Sequence, residues 1–107
     1  MRRGDLVTIA MQGDFGKPRP ALVIQSDQFD AHATVTVLLV SSTLTDTPLF
    51  RLTVDPTPEN GLRTRSQVMA DKAMTVKRDK VGRVIGRLDD DTMIAVNRSL
   101  LLWVGLA

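Results

Sequence analysis

The chain has no cysteine and no tyrosine, one histidine, one tryptophan and three phenylalanines in 107 residues. Absence of cysteine removes disulfide scaffolds, thiolate metal sites and cysteine nucleophiles together. A lone histidine, His32, removes two-histidine acid/base pairs and histidine-cluster metal sites. With so few aromatic rings, a broad base-stacking platform of the kind used by general single-strand binders is not expected. Apolar residues make up 43% of the chain but come in short runs, none near the 18 or more that a membrane-spanning helix requires. Met1 to Asp5 turns acidic before any apolar stretch long enough for a signal peptide, so the expected location is the cytoplasm, with no membrane partner.

What is present is one domain's worth of core, expected over residues 1–107, and an uneven choice of charge. The net charge is +2; ten of the 14 cations are arginine and eleven of the 12 anions are aspartate. Arginine is the cation suited to bidentate contacts with phosphate or carboxylate. So small a net charge makes no whole-protein basic field, and any nucleic-acid contact has to come from a local patch.

Proline, glycine, asparagine and aspartate punctuate the chain at intervals that suit short strands. Strands are predicted over 5–11, 19–26, 34–40, 50–54, 66–76 and 82–88. A short helical turn capped by Ser26 is expected through Phe29 and His32, and Asp55 to Gly61 is a dense turn signal. Asp89-Asp90-Asp91 opens a helix in which Met93, Val96, Leu100 and Trp103 recur at helical spacing, which places Trp103 in the core. The three aspartates are explained by capping and the helix dipole, and no metal or other cofactor is assigned. Mainly β, with five to six strands and a C-terminal helix, the pattern describes a small β-barrel.

Three features could carry chemistry. Gly16-Lys17-Pro18-Arg19-Pro20 sets an arginine between two prolines at a loop-to-strand junction, where fixed φ on either side pre-aims the side chain. Ser41-Ser42-Thr43 offers hydroxyl groups at the exit of a buried strand. Asp71 lies in a half-apolar strand, with Arg63, Arg65 and Lys72 as possible partners, and reads as a surface ion pair or as an acid/base group beside a phosphate. Each has an ordinary structural explanation when taken singly.

Their order and spacing do more. Arg3-Gly4-Asp5-Leu6-Val7, followed by Gly16-Lys17-Pro18-Arg19-Pro20-Ala21-Leu22-Val23-Ile24-Gln25 and Val40-Ser41-Ser42-Thr43, resembles the MazF/PemK toxins of bacterial toxin-antitoxin pairs. Leu62-Arg63-Thr64, Gln67 to Asp71 and the Leu88 to Asp91 helix start look like that family's last strands and helix, so the likeness spans nearly the whole chain.

The resemblance implies an SH3-like barrel of the CcdB/PemK type, a homodimer, metal-independent cutting of single-stranded RNA at short sequences, and a cognate antitoxin whose acidic disordered segment covers the site. It places the family's motif arginine on Arg19, its threonine on Thr43 and an acidic position used by some members on Asp71. Substrate contacts then fall to Gln12, Asp14, Lys17, Ser42 and Arg65. Those members carry an arginine where this chain has Met69, and a histidine in the loop that here reads Gln12-Gly13-Asp14-Phe15, which leaves the general acid to Arg19 or Arg65. Two alternatives stand beside this reading. One is a gyrase poison like the CcdB toxins, echoed by Trp103 and Gly105; the other is a non-catalytic SH3-like binding module.

Overall fold

A computed structural model describes residues 1–11 and 17–107 of the chain. Six strands, β1 (Asp5–Ile9), β2 (Arg19–Val23), β3 (Thr34–Ser41), β4 (Arg51–Val54), β5 (Ser66–Lys77) and β6 (Val81–Arg87), precede one helix, α1 (Asp90–Trp103). Short 3₁₀ turns lie at Asp27–Phe29, capped by Ser26 as its sequence suggests, and at Arg78–Lys80. All strand pairs are antiparallel, in the order β4-β5-β3-β2-β1-β6.

The central strands β1, β2 and β3 carry buried residues on both faces. Leu6, Leu22, Leu38 and Val40 point to one side, where Val54, Val68, Leu88 and the helix residues Met93 and Val96 complete a core. Their neighbours Val7, Ala21, Val23 and Val37 point to the other and pack with Ile9, Val35 and Val76. The period of two thus survives as a choice between two cores.

β5 shows the consequence most clearly. Its residues Ser66 to Ala70 are buried without alternation, because that half is covered on both sides. Val40 pairs with Val68 and Leu38 with Ala73, so Met69 to Lys72 face Leu39 alone. That long bulge bends β5 and lets its first half pair with β4 while its second half follows β3.

β4 and β6 are the sheet's two edges, so the expected barrel is not closed by a strand pair. A turn closes it instead. Buried Asn60 accepts the N–H groups of Thr57 and Leu62 on Oδ1 at 3.0 Å each and donates through Nδ2 to the Asp55 carbonyl at 2.9 Å. The turn so fixed lies against β6, where Arg87 N–H donates to the Glu59 carbonyl at 2.8 Å. Contact is close enough to demand glycine on both sides. A Cβ on Gly61 (φ +68°) would fall 2.0 Å from the Ile85 carbonyl oxygen, and one on Gly86 would fall 2.2 Å from the backbone of Asn60.

The Gly4-Asp5 pair of the N-terminal motif has a structural duty. Asp5 is buried, takes the Arg2 N–H at 2.7 Å and pairs with the Arg87 guanidinium at 2.9 Å, which locks β1 to the end of β6. At the other end of the chain, Asp89 caps α1 by accepting the Thr92 N–H at 2.7 Å. Met93 and Val96 enter the core as expected, but Trp103 does not. It is half-exposed and meets Phe50 with ring centroids 5.2 Å apart, because the last turn of α1 runs past β4 to the sheet's edge. Gly105, with φ +81°, follows the end of that helix.

Candidate active site

Arg19 opens β2, and its exposed side chain lines two adjoining cavities. The larger is an open groove of about 600 Å³ whose described lining holds four cations, Lys17, Arg19, Arg63 and Arg83, and no carboxylate. Thr8, Ser41, Ser42, Thr64 and Ser66 add hydroxyl groups to it. Clustered cations interleaved with hydroxyl donors are the chemistry of a phosphate site. A separate cleft of about 360 Å³ is lined by Asp55, Glu59 and Asp89 with a single cation, Arg87, and is ill suited to an anion.

The sequence singled out Arg19, Lys17 and Ser42, and all three line the larger groove. Thr43 stands just beyond Ser42, exposed, with its N–H donating to Ser41 Oγ at 3.0 Å, and Ser41 itself lines both cavities. The register from Ala21 opposite Leu39 to Val23 opposite Val37, carried two residues outward, brings Arg19 abreast of Ser41. Behind Thr43 the loop is anchored by buried Gln67. Its side chain accepts the Thr45 N–H at 3.1 Å and donates to the Thr45 carbonyl at 2.8 Å and to Thr53 Oγ1 at 3.2 Å. Gln12 and Asp14 lie outside the described residues.

The smaller cavity, about 180 Å³, lies between Arg19, Ser41, Met11 and Met69. Met69 stands opposite Arg51 in the β4–β5 register, and the Arg51 guanidinium reaches from there to Asp71 in the bulge. Arg51 Nε donates to Asp71 Oδ1 at 3.2 Å and Nη2 to Oδ2 at 3.0 Å, with both side chains largely buried. The partner of Asp71 is therefore Arg51, not the expected Arg63, Arg65 or Lys72. Those residues are near Asp71 in sequence, whereas the antiparallel register selects one 20 positions away. These hydrogen bonds hold the Asp71 carboxyl below its ordinary range, against an opposing push from burial, and Lys72 adds a smaller pull in the same direction. The same contact raises Arg51 above its already high value. Asp71 is absent from the described lining of both cavities, whereas Met69, two residues before it, lines the smaller one with Arg19.

Arg65 does not line the groove either; it pairs with Asp55 at 3.1 Å, and both side chains are mostly exposed. The cations that sequence reasoning left out of the site are Arg63 and Arg83. Arg63 sits in the turn after Gly61, Arg83 in β6, and only the folding of that turn onto β6 brings them to the same groove.

Comparison with known proteins decides the lineage. A family model described as the PemK-like, MazF-like toxin of type II toxin-antitoxin systems matches residues 2–104. The chain belongs to this family. A Mycolicibacterium smegmatis protein named "Probable endoribonuclease MazF" is 47% identical over 108 residues, covering 100% of this chain and 99% of that protein. Two solved structures share the fold at lower identity. A mycobacterial endoribonuclease in complex with its cognate antitoxin has a TM-score of 0.83 at 23% identity, covering 100% of this chain and 97% of that one. Mycobacterium tuberculosis toxin MazF-mt6 has a TM-score of 0.82 at 24% identity, covering 96% and 98%. In this MazF/PemK chain the motif arginine and the serine-threonine step after β3 sit on adjoining strand ends. Ser41 lines both cavities with Arg19, Thr43 is in the described lining of neither, and Asp71 is held by Arg51 two positions along β5 from the wall residue Met69.

Proposed function

We propose that this chain is the endoribonuclease toxin of a type II toxin-antitoxin system. In this reading it cuts single-stranded RNA in the Arg19 groove, without a metal ion, by attack of the substrate's own 2′-hydroxyl. The observation that carries it is the groove itself, with four cations and five hydroxyl side chains in its described lining and no carboxylate. Family membership and the named relative point the same way.

The chemistry asks little of the protein. The 2′-hydroxyl is already beside the phosphorus, so proximity supplies much of what an external nucleophile would need. Its oxygen bonds to phosphorus, the bond from phosphorus to the 5′-oxygen breaks, and the products are a 2′,3′-cyclic phosphate and a 5′-hydroxyl. Arg19 clamps the phosphate oxygens through a bidentate contact, and the Thr43 hydroxyl donates to the oxyanion, an interaction worth about 3–4 kcal/mol where water is excluded. Asp71 is assigned as the acceptor for the 2′-hydroxyl proton, although it lies outside the described lining of both cavities and the bound RNA has to bring the hydroxyl to it. Arg51 keeps Asp71 ionised at neutral pH, the protonation state a base needs, while lowering its basicity. The Arg19 guanidinium, already bonded to the phosphate, supplies the proton to the departing 5′-oxygen. DNA lacks the attacking group and is left intact.

Gln12, Asp14, Lys17 and Ser42 are proposed to meet the bases or backbone on either side of the cut. An acidic, disordered antitoxin segment fits the same cations as the RNA does and blocks the groove by occupying it. Exposed apolar side chains at the end of α1, Leu101, Leu102, Trp103 and Val104, support association with a second copy of the chain. The test of function is incubation of purified protein with mixed-sequence RNA and with DNA of the same sequence in EDTA. RNA alone is cut, at a limited set of sites. Cutting of both, or of neither, contradicts the proposal.

A further inference from the structure

β6 departs from its register with β1 at two points, between Leu6 and Val7 and between Val7 and Ile9, and the second bears on the groove. Val7 faces Val84 and Ile9 faces Val81, so Gly82 and Arg83 together stand opposite Thr8. Thr8 Oγ1 accepts the Arg83 N–H at 3.2 Å, and a Cβ on Gly82 would come 2.3 Å from that same oxygen. The bulge is therefore built from three residues that fit each other: a hydroxyl that fills the irregular ladder, a glycine that lets it approach, and the arginine it turns outward. Bulges of this kind re-aim a side chain, and here the one re-aimed lines the cationic groove.

The placement relative to Arg19 follows from the sheet. Thr8 pairs with Pro20 and Ile9 with Arg19 on β2, while Arg83 lies beside Thr8 on β6. The two arginines are thus two strands apart, about 10 Å at the backbone. Arg83 takes part in none of the ion pairs among the described residues. Beside it Val84 is 50% exposed, and with Leu62 and Ile85 it supplies an apolar part of the groove's lining.

We propose that Arg83 holds a second phosphate of the same RNA strand, next to the one clamped at Arg19, with the intervening base lying on Val84, Leu62 and Ile85. This rests on the reading of the groove as an RNA site. A guanidinium on a non-reacting phosphate contributes equally before and during the reaction, so its loss appears in KM and not in kcat. An aliphatic floor discriminates bases by size and contact area and carries no hydrogen-bond code.

The test uses purified wild type, Arg19→Ala, Arg83→Ala and Arg83→Lys on a short RNA spanning one mapped cut site. The same oligonucleotide is also made with an uncharged methylphosphonate replacing, in turn, the phosphate on either side of the cut. Arg83→Ala is expected to raise KM about tenfold, the loss of one charged hydrogen-bonded contact. Its kcat stays within about twofold of wild type, and the dependence of log(kcat/KM) on log salt becomes shallower by about 0.7, one phosphate's worth for a single strand. Arg83→Lys restores the salt dependence. One methylphosphonate position weakens the wild type by a similar factor and leaves Arg83→Ala unaffected. The inference is overturned if Arg83→Ala keeps the wild-type KM and salt dependence, if it lowers kcat alone, or if both methylphosphonates affect it as they do the wild type. The two failures are distinguishable: Arg19→Ala cutting at full rate sinks the RNA reading of the groove, whereas an inactive Arg19→Ala beside an unaltered Arg83→Ala sinks only the second phosphate site.

Discussion

Arg51 and Asp71 join two adjacent strands through a pair of hydrogen bonds, at 3.2 and 3.0 Å, and Arg51 stands opposite Met69, which lines the smaller Arg19 cavity. The pair sets both the charge state of the proposed base and part of the stability of the bulge that carries it.

Asp71→Asn tests both. Removing the charge from a mostly buried, doubly hydrogen-bonded pair costs about 2 kcal/mol at neutral pH. Asp71 has its folded-state pKa lowered, so its contribution is fully present above the unfolded value of about 3.9 and fades as pH falls through the folded value. Urea unfolding at pH 7 should therefore separate the variant from wild type, and the gap should shrink below pH 4. If Asp71 takes the 2′-hydroxyl proton, turnover drops by about 10²–10⁴-fold. Wild-type stability with near-wild-type turnover in Asp71→Asn would remove the residue from both roles.

Arg19→Ala and Thr43→Ala are expected to lower kcat by about 10²–10³-fold each, the usual effect of deleting one oxyanion donor. Both side chains are exposed, so unfolding free energies should stay within about 0.5 kcal/mol of wild type. Cleavage rates on one RNA oligonucleotide, measured beside urea unfolding curves, check both halves. A loss of folding in Arg19→Ala would reassign that arginine to the scaffold.

Gly61→Ala and Gly105→Ala share a positive φ and differ in surroundings, with backbone 2.0 Å away at the first and nothing within 4 Å at the second. The expected cost is about 1 kcal/mol at Gly105, from the conformation alone, and more than about 3 kcal/mol at Gly61, where the turn must leave β6. Thermal melts of the two variants check it. Equal losses would mean that the turn does not close the sheet.

The strands and the helix were legible because burial on two faces still leaves an alternating or helical pattern, as in β3 and at Met93 and Val96. Arg19 was legible for a local reason, the prolines around it. What escaped was produced by pairing between distant segments. Arg51 meets Asp71 because β4 lies beside β5, with nothing in the strand sequences to announce the register. Arg83 points to the groove because of a one-residue slip against Thr8, and Gly82 was the only local trace of it. Trp103 matched the helical stripe yet stands at the edge, since periodicity says which side of a helix is apolar and not how far the sheet beneath it extends.

The central claim, that RNA attacks itself in the Arg19 groove, is tested most directly by mass spectrometry of the fragments that purified protein makes from a short RNA in EDTA. The account predicts a 2′,3′-cyclic phosphate on one fragment and a 5′-hydroxyl on the other, with masses that sum to that of the substrate. Fragments ending in a 3′-hydroxyl and a 5′-phosphate, or cutting that ceases when EDTA is added, would contradict it.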